Sequence, residues 1–251
     1  MKTLTTDNPS RGQLARIGVL VLIAVLVATA VWLGASGRDD NAKADDSSAP
    51  TQPPADVEQV APATTPTDGV VIPTGTDQVN GHPTGFPQTD LGAVALQVEV
   101  AKAQVGFDYD QATTVADLYA DANDKALFEQ RSRDAVQLRR QQAGVPVEGE
   151  VPAPASYAVT PIAYTLEELE TGYYAVNLLS YVTLTTADAE VKDDLYAGTQ
   201  LMRWIDGDWR LVAGSTQDIE QLVAAGQPQA VAPDTPEFKQ AGWVRINGAP
   251  Q

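Results

Sequence analysis

The spacing of apolar and polar positions changes character several times along this chain. Residues 17–33 are an unbroken run without charge, with Trp32 close to its end. Wound as a helix it is about 25 Å long. That is near the lower limit for crossing the hydrocarbon core, and the flanking Ala15 and Gly34-Ala35 extend it. Residues 15–35 are therefore expected to form a single transmembrane helix behind a short tail, 1–14. Periodicity then disappears. Residues 36–80 are rich in Asp, Ala, Thr and Pro, with few large apolar positions before Val70-Val71-Ile72. Such a stretch buries too little apolar surface to offset chain entropy, and its prolines favour extended conformations. It is expected to be a disordered tether.

Helical spacing begins near residue 81. Leu91, Val94, Val98, Ala101 and Val105 form one stripe. Thr89 or Asp90 is placed to cap it and Gly106 to end it. A second helix is expected over 112–121, carrying Val115, Leu118 and Tyr119. A third is expected over 125–142, carrying Leu127, Phe128, Ala135 and Leu138. Arg139 and Arg140 close it, as basic residues suit a helix C-terminus. They read as a solvated helix end, with a docking patch as the alternative.

After a loop at 144–154 the period drops to two. Strands are expected at 156–165, interrupted or ended by Pro161, then at 173–185, 196–205 and 209–213. On the second of these, Tyr174, Val176, Leu178, Val182 and Leu184 share one face, with Ser180 the exception. Asp206-Gly207 is a strong two-residue hairpin turn. Ile219, Leu222 and Val223 suggest a short closing helix. In the tail, 227–251, Trp243, Val244 and Ile246 are the apolar cluster positioned to fold back on the sheet. Helices followed by hairpin-linked strands imply an α+β domain over 81–226, with three helices packed on a curved four-stranded antiparallel sheet.

Charge sets the expected orientation. Lys2, Arg11 and Arg16 precede the apolar run against Asp7 alone, so the N-terminus is expected in the cytoplasm and the bulk outside. The run is long for a signal peptide, and Leu33-Gly34-Ala35 is a mediocre cleavage site. A retained anchor fits better than a cleaved signal, though both readings stand at this stage. Residues 36–251 hold 13 basic and 32 acidic residues. That balance argues against nucleic acid and against lying on an anionic membrane surface.

The sequence offers little reactive chemistry. It contains no Cys and one His, which removes disulfides, thiolate metal sites and most histidine catalysis. His82 precedes Pro83 in an apparent connector. Asp206 and Asp208 flank Gly207 but lack the later ligands of a calcium loop, Gln217 standing where a Glu is needed. Ser180 and Ser215-Thr216 have no histidine partner in any motif. Asp117 and Asp121 are unexceptional on the second helix. Glu167, Glu168, Glu170, Asp188, Glu190, Asp193 and Asp194 cluster at strand ends. No catalytic, cofactor-binding or metal residue is assigned, no cofactor is expected, and the chain is read as not an enzyme.

The element order resembles the cone-shaped fold of the nuclear transport factor two-like superfamily. Met202-Arg203-Trp204-Ile205-Asp206-Gly207-Asp208-Trp209-Arg210-Leu211-Val212 is similar to the final hairpin of such domains. Gly85-Phe86-Pro87-Gln88-Thr89, with Gly92-Ala93, resembles the start of a family of membrane-anchored proteins encoded on actinobacterial mobile elements. The layout also resembles the bitopic assembly subunit of type IV secretion and conjugation machines. These resemblances imply a non-enzymatic scaffold in a transfer apparatus, contacting other channel proteins. The apolar run gives the membrane contact through residues 15–35, and weak self-association is left open, as nothing in the sequence specifies it. An extracytoplasmic module binding a small ligand in the cone is the alternative, and an isomerase- or dehydratase-type enzyme a more distant one. No partner-binding residue carries over.

Overall fold

The computed structural model describes residues 69–250. The expected tail at 1–14, the span at 15–35 and the tether up to residue 68 lie outside them. Among the described residues no helix is long and apolar enough to cross a membrane.

The elements are β1 (Asp77–Val79), β2 (His82–Thr84), α1 (Asp90–Ala103), α2 (Tyr109–Tyr119), α3 (Lys125–Gln142), β3 (Ser156–Glu170), β4 (Tyr173–Thr185), β5 (Val191–Ile205), β6 (Asp208–Val212), α4 (Thr216–Ala225), α5 (Pro236–Gln240) and β7 (Val244–Arg245). The domain is α+β. Its main sheet has five strands in the order β6-β5-β4-β3-β7, every pair antiparallel. This corrects the expected four. The Trp243-Val244-Ile246 cluster returns to the sheet, and Val244 and Arg245 pair with Tyr164 and Ala163. A separate hairpin joins β1 to β2.

Order also starts earlier than expected. Val70 bridges Ile246 in parallel, its N–H donating to the Arg245 carbonyl at 2.8 Å while Asn247 donates back at 2.9 Å. The Val70-Val71-Ile72 cluster has found a strand edge, so the tether reading does not hold over 69–80.

Local chemistry explains the element boundaries. Thr89 caps α1, its hydroxyl accepting from the Gly92 N–H at 3.1 Å. Asp108 caps α2 in the same way through Gln111, so α2 begins ahead of the expected residue 112. Ser215 and Asp218 form a reciprocal capping box on α4. Asp206 and Gly207 both adopt positive φ (52° and 85°), as a two-residue hairpin of this type requires.

β3 does not stop at Pro161. Pro161 stays opposite Ser180, and a bulge follows it, with Ile162 the extra residue before Ala163 pairs with Leu179. The bulge also inverts the alternation. Tyr157 and Val159 before it, and Tyr164 and Leu166 after it, all point at the helical layer.

One face of the sheet carries the main core with α1 and α2, built on Val94, Leu96, Val98, Val115, Tyr119, Phe128, Val176, Leu178, Met202 and Trp209. Among the described residues, the other face is covered only at its ends. Phe238 and Trp243 pack on Ile162, Leu179 and Ala197. Ile219 and Leu222 of α4 pack on Tyr173, Ala175, Leu201 and Val212. Between them Asn177 links Thr165 (2.8 Å) and Thr199 (2.5 Å) in a polar stripe.

Candidate functional site

The two segments that carried the family resemblances meet in space. Trp209 is buried, and its indole N–H donates to the Pro87 carbonyl at 2.8 Å. The Asp208 carboxylate accepts from the Gly85 N–H at 3.3 Å. Trp204 and Tyr174 pack on the Trp209 ring at centroid separations of 5.4 and 5.6 Å. Gly92 is required here, because a Cβ on it would lie 1.9 Å from the Pro87 carbonyl and 2.8 Å from the Trp209 indole nitrogen. The Gly-Phe-Pro-Gln-Thr segment and the Asp-Gly-Asp-Trp hairpin thus form one joint that seats the start of α1 on the edge of the sheet. Both resemblance motifs have a packing role.

Arg139 and Arg140 are neither a solvated helix end nor a docking patch, because both are buried. Arg139 donates to the carbonyls of Ala135 (3.2 Å), Gln104 (2.8 Å) and Gly106 (3.2 Å), and its guanidinium lies 4.7 Å from the Tyr157 ring centre. Arg140 donates to Phe107, Pro146 and Gly149, and stacks 5.2 Å from Tyr109. The arginines satisfy carbonyls at the end of α1 and in the loop after α3. Burial pulls the Arg139 guanidinium below its usual range, with Tyr157 opposing.

A polar cleft of about 490 Å³ opens where α4 meets the sheet, lined by Asp124, Glu170, Tyr173, Arg203, Ser215 and Asp218 among others. The Arg203 guanidinium stacks 3.9 Å from the Tyr173 ring centre and lies 3.7 Å from Glu170. The Tyr173 hydroxyl donates to Asp218 at 2.9 Å, and the Ser215 N–H donates to the same oxygen at 2.7 Å. Burial acts to raise the Asp218 carboxyl. The bonds from Ser215 and Tyr173 and the charge of Arg203 outweigh it, so the carboxyl sits below its usual range. Burial, then the bond to Asp218, pushes the Tyr173 hydroxyl well up. Asp124 accepts from the Ala213 N–H at 2.7 Å. These groups build the start of α4 and its seat, and sequence reasoning assigned the cleft no role.

The remaining candidates are dispersed. His82 packs edge-on against Tyr119, whose hydroxyl donates to the Pro83 carbonyl at 2.7 Å. Asp117 pairs with Lys125. Asp121 accepts from Asn123. Ser180 is fully buried in β4, opposite Tyr196 of β5. Neither Ser180 Oγ nor the hydroxyls of Tyr157 and Tyr196 has a hydrogen-bond partner among the described residues. The Tyr196 hydroxyl is pushed up to about 12, first by burial and then by Tyr157. No carboxylate is among the buried residues described. Among the described residues no group of three or more His, Asp or Glu side chains is placed to hold a metal ion.

No protein-family model matches the chain, and comparison with curated proteins finds no match.

Proposed function

We propose that this chain is a non-enzymatic scaffold or assembly subunit, held to the cell membrane by residues 15–35 with the α+β domain outside, in a conjugative or type IV secretion-like apparatus. The observation that carries the non-enzymatic part is the interior between helices and sheet. It is filled by Leu96, Tyr119, Phe128, Leu178, Met202 and Trp209, and the buried polar groups described include two arginines but no carboxylate. An isomerase or dehydratase of the cone type needs a general base inside that space. The apparatus itself rests on the resemblance in layout and on the apolar run at 17–33.

Crosslinking in intact cells followed by affinity recovery of the full chain tests the assembly role. A conjugation ATPase or another channel protein should be recovered. Recovery of none would overturn it. Membrane fractionation with external protease tests the topology, and a chain that stays in the soluble fraction would overturn the anchor.

The partnerless hydroxyls of Tyr157, Tyr196 and Ser180 favour a second reading, a small-ligand module using the interior of the cone. A crystal structure at high resolution separates the two. Ordered water on those oxygens supports the scaffold, and a co-purified organic molecule supports the module.

A further inference from the structure

β5 carries a long open edge. β6 lies on its outer side but pairs only with residues 201–205. Beyond that point, residues 191–199 have no strand on their outer side among the described residues.

Two bonds fix which backbone groups face outward. Trp204 donates its N–H to the carbonyl of Gly172, in the β3–β4 turn, at 2.9 Å. The Glu190 carbonyl accepts from Thr186 at 2.9 Å. Even-numbered residues of this strand therefore turn their backbone groups toward β4, and alternate residues turn them away. The outward set is Val191, Asp193, Leu195, Ala197 and Thr199, a ladder about 30 Å long. One rung is occupied by a side chain. Asp194 Oδ1 accepts the Leu195 N–H at 2.8 Å.

The charge at this edge is one-sided. Asp188, Glu190, Asp193 and Asp194 stand against Lys192 alone, and Lys192 already pairs with Glu190 at 3.2 Å. Asp193 and Asp194 are exposed and lie on opposite faces of the strand. Pairing with a second copy would bring two such acidic blocks into one ribbon, where like charges repel. Guarding the edge against aggregation is one use of charge here. The arrangement also specifies what could bind.

We propose that residues 191–199 form a strand-addition site for an extended segment of a partner protein that carries two adjacent basic residues flanked by β-branched ones. The adjacent pair places one cation on each face, opposite Asp193 and Asp194. A carbonyl of the incoming strand takes over the Leu195 N–H and frees the Asp194 carboxylate for the cation. Exposed Val191 and half-buried Leu195 offer apolar contact on one face. This partner class is independent of which apparatus the chain serves.

Amide hydrogen exchange on the full chain, with and without a capped Thr-Val-Lys-Arg-Val-Thr-Val probe peptide, tests the site. The outward amides of Asp193, Ala197 and Thr199 should exchange about ten-fold more slowly with the peptide, while the even-numbered amides, already bonded to β4, stay unchanged. The double variant Asp193→Lys, Asp194→Lys should lose the effect, and its two positions are exposed enough to leave folding intact. Ala197→Pro, which deletes an outward N–H, should weaken it independently of charge. Equal protection by a peptide with Glu-Glu in place of Lys-Arg would overturn the proposal. Protection confined to other strands, no protection, or self-association of the peptide-free chain through 191–199 would overturn it too.

Discussion

Replacing Arg139 with Met keeps most of the side-chain volume and removes the guanidinium. Two carbonyls at the end of α1, those of Gln104 and Gly106, then lose the donor that reaches them from α3. The Ala135 carbonyl retains its helical partner and is not orphaned. Each buried acceptor left without a donor costs about 1–2 kcal/mol. Losing the stack on Tyr157, at 4.7 Å, removes about 1 kcal/mol more. Against this, the buried charge and its desolvation disappear, which recovers about 1–2 kcal/mol. The net expectation for Arg139→Met is destabilisation by about 3 kcal/mol. In a domain of this size that lowers Tm by about 6–12 °C. Urea unfolding followed by circular dichroism, with unchanged m-value, is the assay. Arg139→Lys should fall between, because one ammonium cannot serve two carbonyls and stack on the ring. Exposed Arg133→Met is the control and should be near neutral. If Arg139→Met lies within about 1 kcal/mol of the parent, the buried arginine is not what joins α3 to the end of α1.

Other perturbations test other parts of the structure. Gly92→Ala places a Cβ against the Pro87 carbonyl and should cost about 3 kcal/mol, with Trp209 fluorescence shifting as its indole N–H is released. Asp218 titrates below the usual carboxylate range in the folded state, so its contribution is present above about pH 4 and is lost as pH falls through the folded value. Asp218→Asn should flatten the acid limb of a stability–pH curve, and an unchanged limb would count against the capping geometry. Burial raises the Tyr157 and Tyr196 hydroxyls, Tyr196 to about 12, so the folded state holds those protons more tightly than the unfolded chain. Stability should fall as pH rises above about 10, and tyrosinate absorbance at those two residues should lag until unfolding, as Tyr→Phe variants would show in difference titrations.

Local features of the fold were legible in the sequence and non-local ones were not. α3 and β4 stand at their expected boundaries, because the periodic stripe and the alternating face are each encoded within one element. The cap was narrowed to Thr89 or Asp90 for the same reason, and Thr89 is the one that fills it. Pro161 misled the reading of β3, since a strand tolerates a proline at an edge or beside a bulge, and both depend on the neighbouring strands. The first part of β5 is exposed and acidic, so its sequence carries no alternating signal, although the strand pairs with β4 from Val191. Arg139 and Arg140 reach carbonyls about thirty residues away. Nothing nearby in the chain distinguishes them from ordinary basic residues at a helix end. The interior hydroxyls were visible as tyrosines on strands, but their lack of partners emerges only from the packing.

Val70 is stitched to Arg245 and Asn247 by two backbone bonds, and its half-buried side chain packs against the core. A mechanical load arriving from the residues ahead of Gly69 therefore meets a weak fastening first. The next is the small β1–β2 hairpin, which is already pinned to the domain through the Pro83 carbonyl on Tyr119 and the Gly85 N–H on Asp208, ahead of the buried Phe86. Residues 70–86, freed that far, have a contour of about 55 Å. Pulled from that end, the described part of the chain would give way in steps rather than all at once.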